Sequence, residues 1–272
     1  MRYARFGLLC LLLGVVPAWS KQPPPQQTQA ATPSPAPKDT QAVSVVTQAL
    51  TAAGGIPAIT AIKDYAATGT ITYHWSPEVQ GIVTVRGLGL GEFRLDATLP
   101  TGLRSSAVTG GMTSVKSADE NVLHVLTIAP LSPASIVFPY SLLAGGVTES
   151  WLSLTYKGVV QIDGRSAHVV RFQPFLGQQV DPQNLLGELQ ATDIFIDAST
   201  FQIIMTQDTI RNVKNTSGGH IHQLRFSDYQ SASGVFIPFS INETVGGQPT
   251  WELHVNQISF NTGLQDSSFK LF

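Results

Sequence analysis

His220 and His222 stand two apart in the stretch "GGHIHQLRF". On a β-strand that spacing turns both imidazoles to one face. Two such rings are the beginning of a zinc or copper site, because neutral imidazole nitrogen is a favoured ligand for both metals. A structural zinc site needs two more ligands and a catalytic one at least a third, and nothing nearby in the sequence supplies them. Gly218-Gly219 just upstream reads as a hairpin end, where both rings are simply solvated. The pair is a weak metal candidate, and no cofactor is expected.

The other groups able to do chemistry are scattered. His74, His124, His168 and His254 are isolated, and each reads as a half-buried polar residue rather than a catalyst. Serines are many, but no Gly-x-Ser-x-Gly elbow and no His-Glu-x-x-His pair occurs. Asp119-Glu120 reads as solvated charge in a turn. In "VRGLGLGEF", Gly87, Gly89 and Gly91 lack the spacing and βαβ setting of a dinucleotide loop. Glycines on one face of a strand instead allow a sharp bend or the close approach of another element. The expectation is a protein without catalytic function.

The apolar insertions carry more information. "APLSPASIVFPYSLLAGGV" holds Ile136, Val137, Phe138, Leu142 and Leu143, with Ser132-Pro133 as a helix start and Pro139 as an interruption. "DPQNLLGELQ" holds Leu185, Leu186 and Leu189 behind an Asp181-Pro182 cap. These eight residues are too apolar for a wet surface and should cover a sheet. Either they fill its core, or they close it incompletely and leave a mostly apolar pocket under a lid. They are the expected hydrophobic ligand contacts.

The elements around them are mainly β. Val43, Val46, Leu50 and Ala53 recur at helical spacing, with Asp39 or Thr40 to cap the helix and Gly54-Gly55 to end it. Pro57 opens a second short helix. Strands are expected over 68–75, a long extended stretch over 81–98, then 154–163, 168–174, 192–197, 202–211, 220–229, 235–245 and 250–260. Asp163-Gly164 and Gly246-Gly247 mark tight hairpins. Short links imply antiparallel neighbours, and ten or more strands in one meander should curl. In "GVFIPFSI", Val235, Ile237 and Phe239 should face the helices, with Pro238 at a break in pairing of a near-terminal strand.

Arg2 and Arg5 precede an apolar run over 6–16 and then Ala18-Trp19-Ser20, which reads as a signal peptide of residues 1–20. Retention of that run as an anchor is the alternative. Cys10 lies inside it after Leu8-Leu9, a poor lipidation context, and its removal leaves no thiol. Residues 21–39 hold six prolines and four glutamines and read as a disordered spacer. Residues 40–272 read as one domain with no further membrane-spanning segment. The net charge of −2 becomes more negative once Arg2 and Arg5 leave, and no basic cluster supports nucleic-acid binding. Charged residues make up only 12% against about 25% in ordinary soluble domains, with Thr, Ser and Gln in their place, as suits an exported β-protein.

The opening "ALTAAGGIPAITAIKDYAATGTIT", the hairpin "FSDYQSASGVFIPFSI" and the close "ISFNTGLQDSSFKLF" resemble bacterial exported proteins built on the lipoprotein-localisation carrier (LolA/LolB-like) fold. The matching positions are Tyr229, Gly234, Val235, Pro238, Asn261, Phe269, Lys270 and Leu271. The resemblance implies a mainly β (α+β) fold: a strongly curved open antiparallel sheet, a half-barrel, with an N-terminal helix and short helical inserts over the concave face. In those carriers the concavity holds lipoprotein acyl chains. The implied function is an exported cell-envelope protein binding a lipid or other hydrophobic small molecule. The alternative is a structural or interaction module of the envelope with a filled core and a protein partner that the sequence does not name.

Overall fold

The computed structural model describes residues 35–117, 122–125, 127–128, 133–212 and 215–271. The expected signal peptide with Cys10, most of the spacer, the Asp119-Glu120 turn and Ser132 lie outside the described residues.

Helices α1 (Thr40–Ala52) and α2 (Ile56–Thr60) open the domain. The Asp39 carboxylate accepts from the Gln41 and Ala42 N–H groups and caps α1. Gly54 turns the chain at φ +127°, and a Cβ there would lie 2.5 Å from the Gly234 carbonyl, so the α1–α2 corner seats directly on a later hairpin. A first meander follows: β1 (Asp64–Tyr73), β2 (Val79–Leu88), β3 (Glu92–Leu99), β4 (Gly102–Thr109), β5 (Met112–Lys116), β6 (Val122–Val125) and the short β7 (Thr127–Ile128). A 3-10 turn (Pro133–Ile136) and α3 (Tyr140–Thr148) form the insertion. The second meander is β8 (Leu152–Ile162), β9 (Arg165–Pro174), α4 (Leu185–Leu189), β10 (Thr192–Asp197), β11 (Ile203–Asn212), β12 (Asn215–Ala232), β13 (Val235–Val245) and β14 (Gln248–Phe260). A last 3-10 turn covers Asp266–Phe269.

One antiparallel sheet runs β6-β5-β4-β3-β2-β1-β14-β13-β12-β11-β10-β9-β8, with β7 pairing β11 off that path. The β1–β14 ladder joins the two meanders, and among the described residues the sheet ends are not joined to each other. A register shift at Thr68/Gly69 lets Val255 and Ile258, three apart on β14, both face the core. A mainly β, open and curved sheet carrying α1 and α3 on one face is therefore the observed architecture. That face meets Val46, Ala49 and Leu50 of α1 and Leu142 and Leu143 of α3 in one continuous core.

Four expectations need correction. The stretch 81–98 is not one extended run but the β2–β3 hairpin, closed at Gly89-Leu90-Gly91. Gly218-Gly219 is not a hairpin end; both lie inside β12, which pairs β11 on either side of them. Ala36–Asp39 belongs to the fold rather than to the spacer: Ala36 N–H donates to Ser150, Asp39 N–H to Leu154 and Leu154 N–H to Pro37. And β13 lies inside the sheet between β12 and β14, not near its margin. Its Pro238 faces Tyr229 on β12, but pairing with β14 begins only at Ser240, so the neighbour diverges where proline offers no N–H.

Part of the opposite, convex face, over β3 and β4, is covered by the tail. Arg94 donates to the Ser268 and Lys270 carbonyls, Phe269 is fully buried, and the last 3-10 turn lies on β3 and β4. Asn261 ties the start of this tail to the α2–β1 junction by accepting from Lys63 N–H and donating to the Ala61 carbonyl. Asp64 accepts from the Thr262 hydroxyl and from the Thr262 and Gly263 N–H groups.

Candidate functional site on the concave face

The insertion is pinned from β1. The buried Tyr65 hydroxyl donates to the Ala134 carbonyl at 2.9 Å. Its ring lies across Gly87 on β2, where a Cβ would come within 2.3 Å of it. Gly87 thus serves the close approach that its place in the glycine run anticipated, and Gly89 makes the hairpin turn. From this anchor the chain drives Phe138 into the concavity, 6.3 Å from the Tyr65 ring and 5.4 Å from Phe260.

The sequence-predicted contacts now divide into three groups. Val137, Phe138, Leu142 and Leu143 are fully buried, so the centre of the concavity is filled by protein. Ile136 is only half-buried and borders a cleft. The α4 leucines do not cover the concave face at all. Leu185 and Leu186 are 57% and 46% exposed, and Leu189 is half-buried. The cause is polar. The Asp181 carboxylate accepts from Leu185 and Gly187 N–H, and Arg171 reaches Glu188 at 3.1 Å. Arg171 alternates with core-facing Val170 and Phe172, so it draws α4 to the sheet's other side.

Two clefts remain at opposite ends of the filled centre. One, of ≈ 340 Å³, lies between α2 and α3 and is bordered by Ile59, Lys63, Leu90 and Phe138. The other, of ≈ 320 Å³, lies where β1 ends, between the sheet and the Pro133–Ile136 turn. Its apolar wall is Phe93, Leu95, Ile136 and Trp251, with Tyr73 and Trp75 beside them. Tyr73 and Trp75 stack at 4.5 Å, and the Arg104 guanidinium lies over both rings, 5.9 and 5.5 Å from their centroids. Burial raises the Tyr73 phenol above its ordinary range despite Arg104. Among the described residues, Arg104 has no carboxylate within ion-pair distance.

Behind this wall sits a charged group that sequence reasoning missed. His222 is buried, with Nδ1 at 3.0 Å from Asp208 and Nε2 at 3.1 Å from Glu243. Burial pushes its pKa down, but hydrogen bonds and charge from Asp208 and Glu243 override this and push it up to about 10. A protonated imidazole has no lone pair for a metal. His220 is exposed at the other end of the pair. No cluster of three His, Cys, Asp or Glu among the described residues is arranged to hold a metal ion. Glu243 also accepts from the Thr250 hydroxyl, so both its oxygens are occupied. The site offers an apolar wall, aromatic rings, the Arg104 cation and the Glu243 carboxylate.

No family model and no curated protein sequence matches the chain. Solved structures do. A domain from Vibrio parahaemolyticus assigned to outer membrane lipoprotein sorting is 12% identical, with a TM-score of 0.51 over 85% of this chain and 96% of its own. A LolA superfamily protein from Nitrosomonas europaea is 13% identical, with a TM-score of 0.51 over 84% of this chain and 97% of its own. Likeness over nearly the whole of both partners, at so low an identity, concerns the backbone path. The chain has a LolA-like fold.

Proposed function

We propose that the domain binds an acyl chain or a similar hydrophobic small molecule on its concave face, in the cell envelope after export. The observation that carries this reading is the apolar cleft of ≈ 320 Å³ beside Ile136, at the lower end of the roughly 300–1,000 Å³ of ligand pockets. Ile136 is the first contact. Phe138, with Val137, Leu142 and Leu143 behind it, is the plug that a longer chain displaces. The α4 leucines are left out of the site because they lie on the far side of the sheet. Each CH₂ that enters contributes about 0.8 kcal/mol, so reversible burial alone supports useful affinity. Binding rather than catalysis fits a site built from apolar walls. The leader and spacer support export, and the fold's known members include a lipoprotein-sorting domain.

A second reading is favoured by the complete burial of Val137, Phe138 and Leu143. On it the concavity is ordinary core and the domain is an interaction module of the envelope. Titration of delipidated protein with a fluorescent fatty acid, alongside mass spectrometry of copurifying lipid, separates the two. Saturable uptake supports ligand binding; no uptake and no copurifying lipid leaves the module.

A further inference from the structure

We propose that the cleft beside Ile136 selects anionic amphiphiles. The Arg104 guanidinium takes a carboxylate or phosphate head, and the chain lies along Phe93, Leu95 and Ile136. This rests on the ligand-binding reading above and adds the chemistry of the head group.

The case begins with what Arg104 lacks among the described residues. Arg86 and Arg94 both bind Asp96, Arg171 binds Asp193, Arg225 binds Asp163, and Arg165 approaches Asp197. Arg104 has instead the Tyr73 hydroxyl and two aromatic faces. A guanidinium carries five N–H donors in a rigid fork that matches an oxyanion bidentately. Rings engage its face and the Tyr73 hydroxyl meets one in-plane donor, which leaves the rest of the fork without a carboxylate among the described residues. The stacked Tyr73–Trp75 pair therefore holds the cation in place without neutralising it.

The cleft's own carboxylate does not compete. Glu243 lines the same cleft, but one oxygen is held by His222 and the other by the Thr250 hydroxyl. The imidazolium offsets one of the two carboxylates it bonds, and the Glu243 oxygens are turned toward His222 and Thr250, which leaves Arg104 as the cation directed at a ligand. A fixed positive group beside apolar wall is complementary to one anionic head on one apolar chain. Neutral chains gain only the wall, and a cationic head is repelled.

The test uses the full chain, by calorimetry below the micellar range, with four twelve-carbon probes: dodecanoate, dodecyl phosphate, dodecanol and dodecyltrimethylammonium. Both anions should bind at least about tenfold more tightly than dodecanol, a difference of about 1.4 kcal/mol. The ammonium should bind most weakly. Arg104→Gln should bring the anions down to the level of dodecanol and leave dodecanol unchanged, while Arg104→Lys keeps part of the preference. The ratio of dodecanoate to dodecyl phosphate tells a fatty-acid head from a phosphate one. Equal binding of all four, tighter binding of the ammonium, or an anion preference that survives in Arg104→Gln overturns the head-group assignment and leaves the apolar site standing. Failure of all four probes to bind overturns the ligand-binding reading as well. If Arg104→Gln does not fold, Arg104→Lys against the four probes on the native chain still decides the matter.

Discussion

The pH dependence of stability provides a sharp test of the buried charge. His222 is 7% exposed and bonded on both ring nitrogens to carboxylates, and its pKa rises from 6.5 to about 10. The folded state therefore holds a proton that the unfolded chain releases near pH 6.5. The stabilisation is complete below about pH 6.5, declines as pH rises, and is gone above about pH 10. At 1.36 kcal/mol per unit, that window amounts to on the order of 5 kcal/mol, or about 1.4 kcal/mol per pH unit. Desolvation of Asp208 and Glu243 offsets part of this in the total stability but not in the slope. Urea unfolding at half-unit steps from pH 6 to 10, on native protein and His222→Gln, reads the difference directly. The variant removes the proton and leaves two buried carboxylates unpaired, so it should lose about 3–5 kcal/mol at pH 6. Its deficit should shrink toward pH 10. Two parallel curves across that window would refute the reasoning, as would an imidazole signal from His222 titrating near pH 6.5 in the folded protein.

Other expectations follow from the packing. Phe269→Ala, which empties a fully buried site on the convex face, should cost about 3–5 kcal/mol in urea melts while leaving fatty-acid uptake intact. Gly87→Ala places a Cβ 2.3 Å from the Tyr65 ring and should cost about 1–3 kcal/mol; Tyr65→Phe, which removes only the bond to Ala134, should cost about 1 kcal/mol. Leu185→Ser with Leu186→Ser should shift stability by no more than about 0.5 kcal/mol per site, since both side chains are exposed, whereas a covering role would make the pair severely destabilising. Burial pushes the Asp64 carboxyl up, but the Thr262 hydroxyl and the Thr262, Gly263 and Leu264 N–H groups outweigh it and hold it below its ordinary 3.8. Its contribution is present above that value and is lost as pH falls through it, so Asp64→Asn should flatten the acid limb of the stability curve.

Several elements were readable because their signal is local. Asp163-Gly164 and Gly246-Gly247 each carry positive φ at a hairpin, the one conformation their residue types announce. Asp39 caps α1 where its spacing places it. Strand β4 escaped notice because "GLRSSAVT" lacks apolar alternation. Its Ser105 and Ala107 face a tail that needs small residues under Phe269, and Ser105 bonds Asp96. The His222 site escaped for another reason. Asp208 and Glu243 stand 14 and 21 residues away and meet it only through the registers of β11–β12 and β12–β13. Arg104 likewise reaches Tyr73 and Trp75 only once β4 is aligned on β3. The α4 leucines misled because an apolar spacing gives a face but not the side of the sheet on which Arg171 and Asp181 will hold it.

The chain enters the domain along the free edge of β8, where Ala36–Asp39 runs parallel to Ser150–Leu154. Lys38 adds two bonds from its ammonium to the Val147 and Glu149 carbonyls at the end of α3. A pull on the chain at Ala36 would meet this clasp before it meets α1. The clasp grips α3, the helix that carries Leu142 and Leu143 and follows Phe138. Such a pull is thereby delivered to the roof of the concavity and not directly to the β1–β14 ladder.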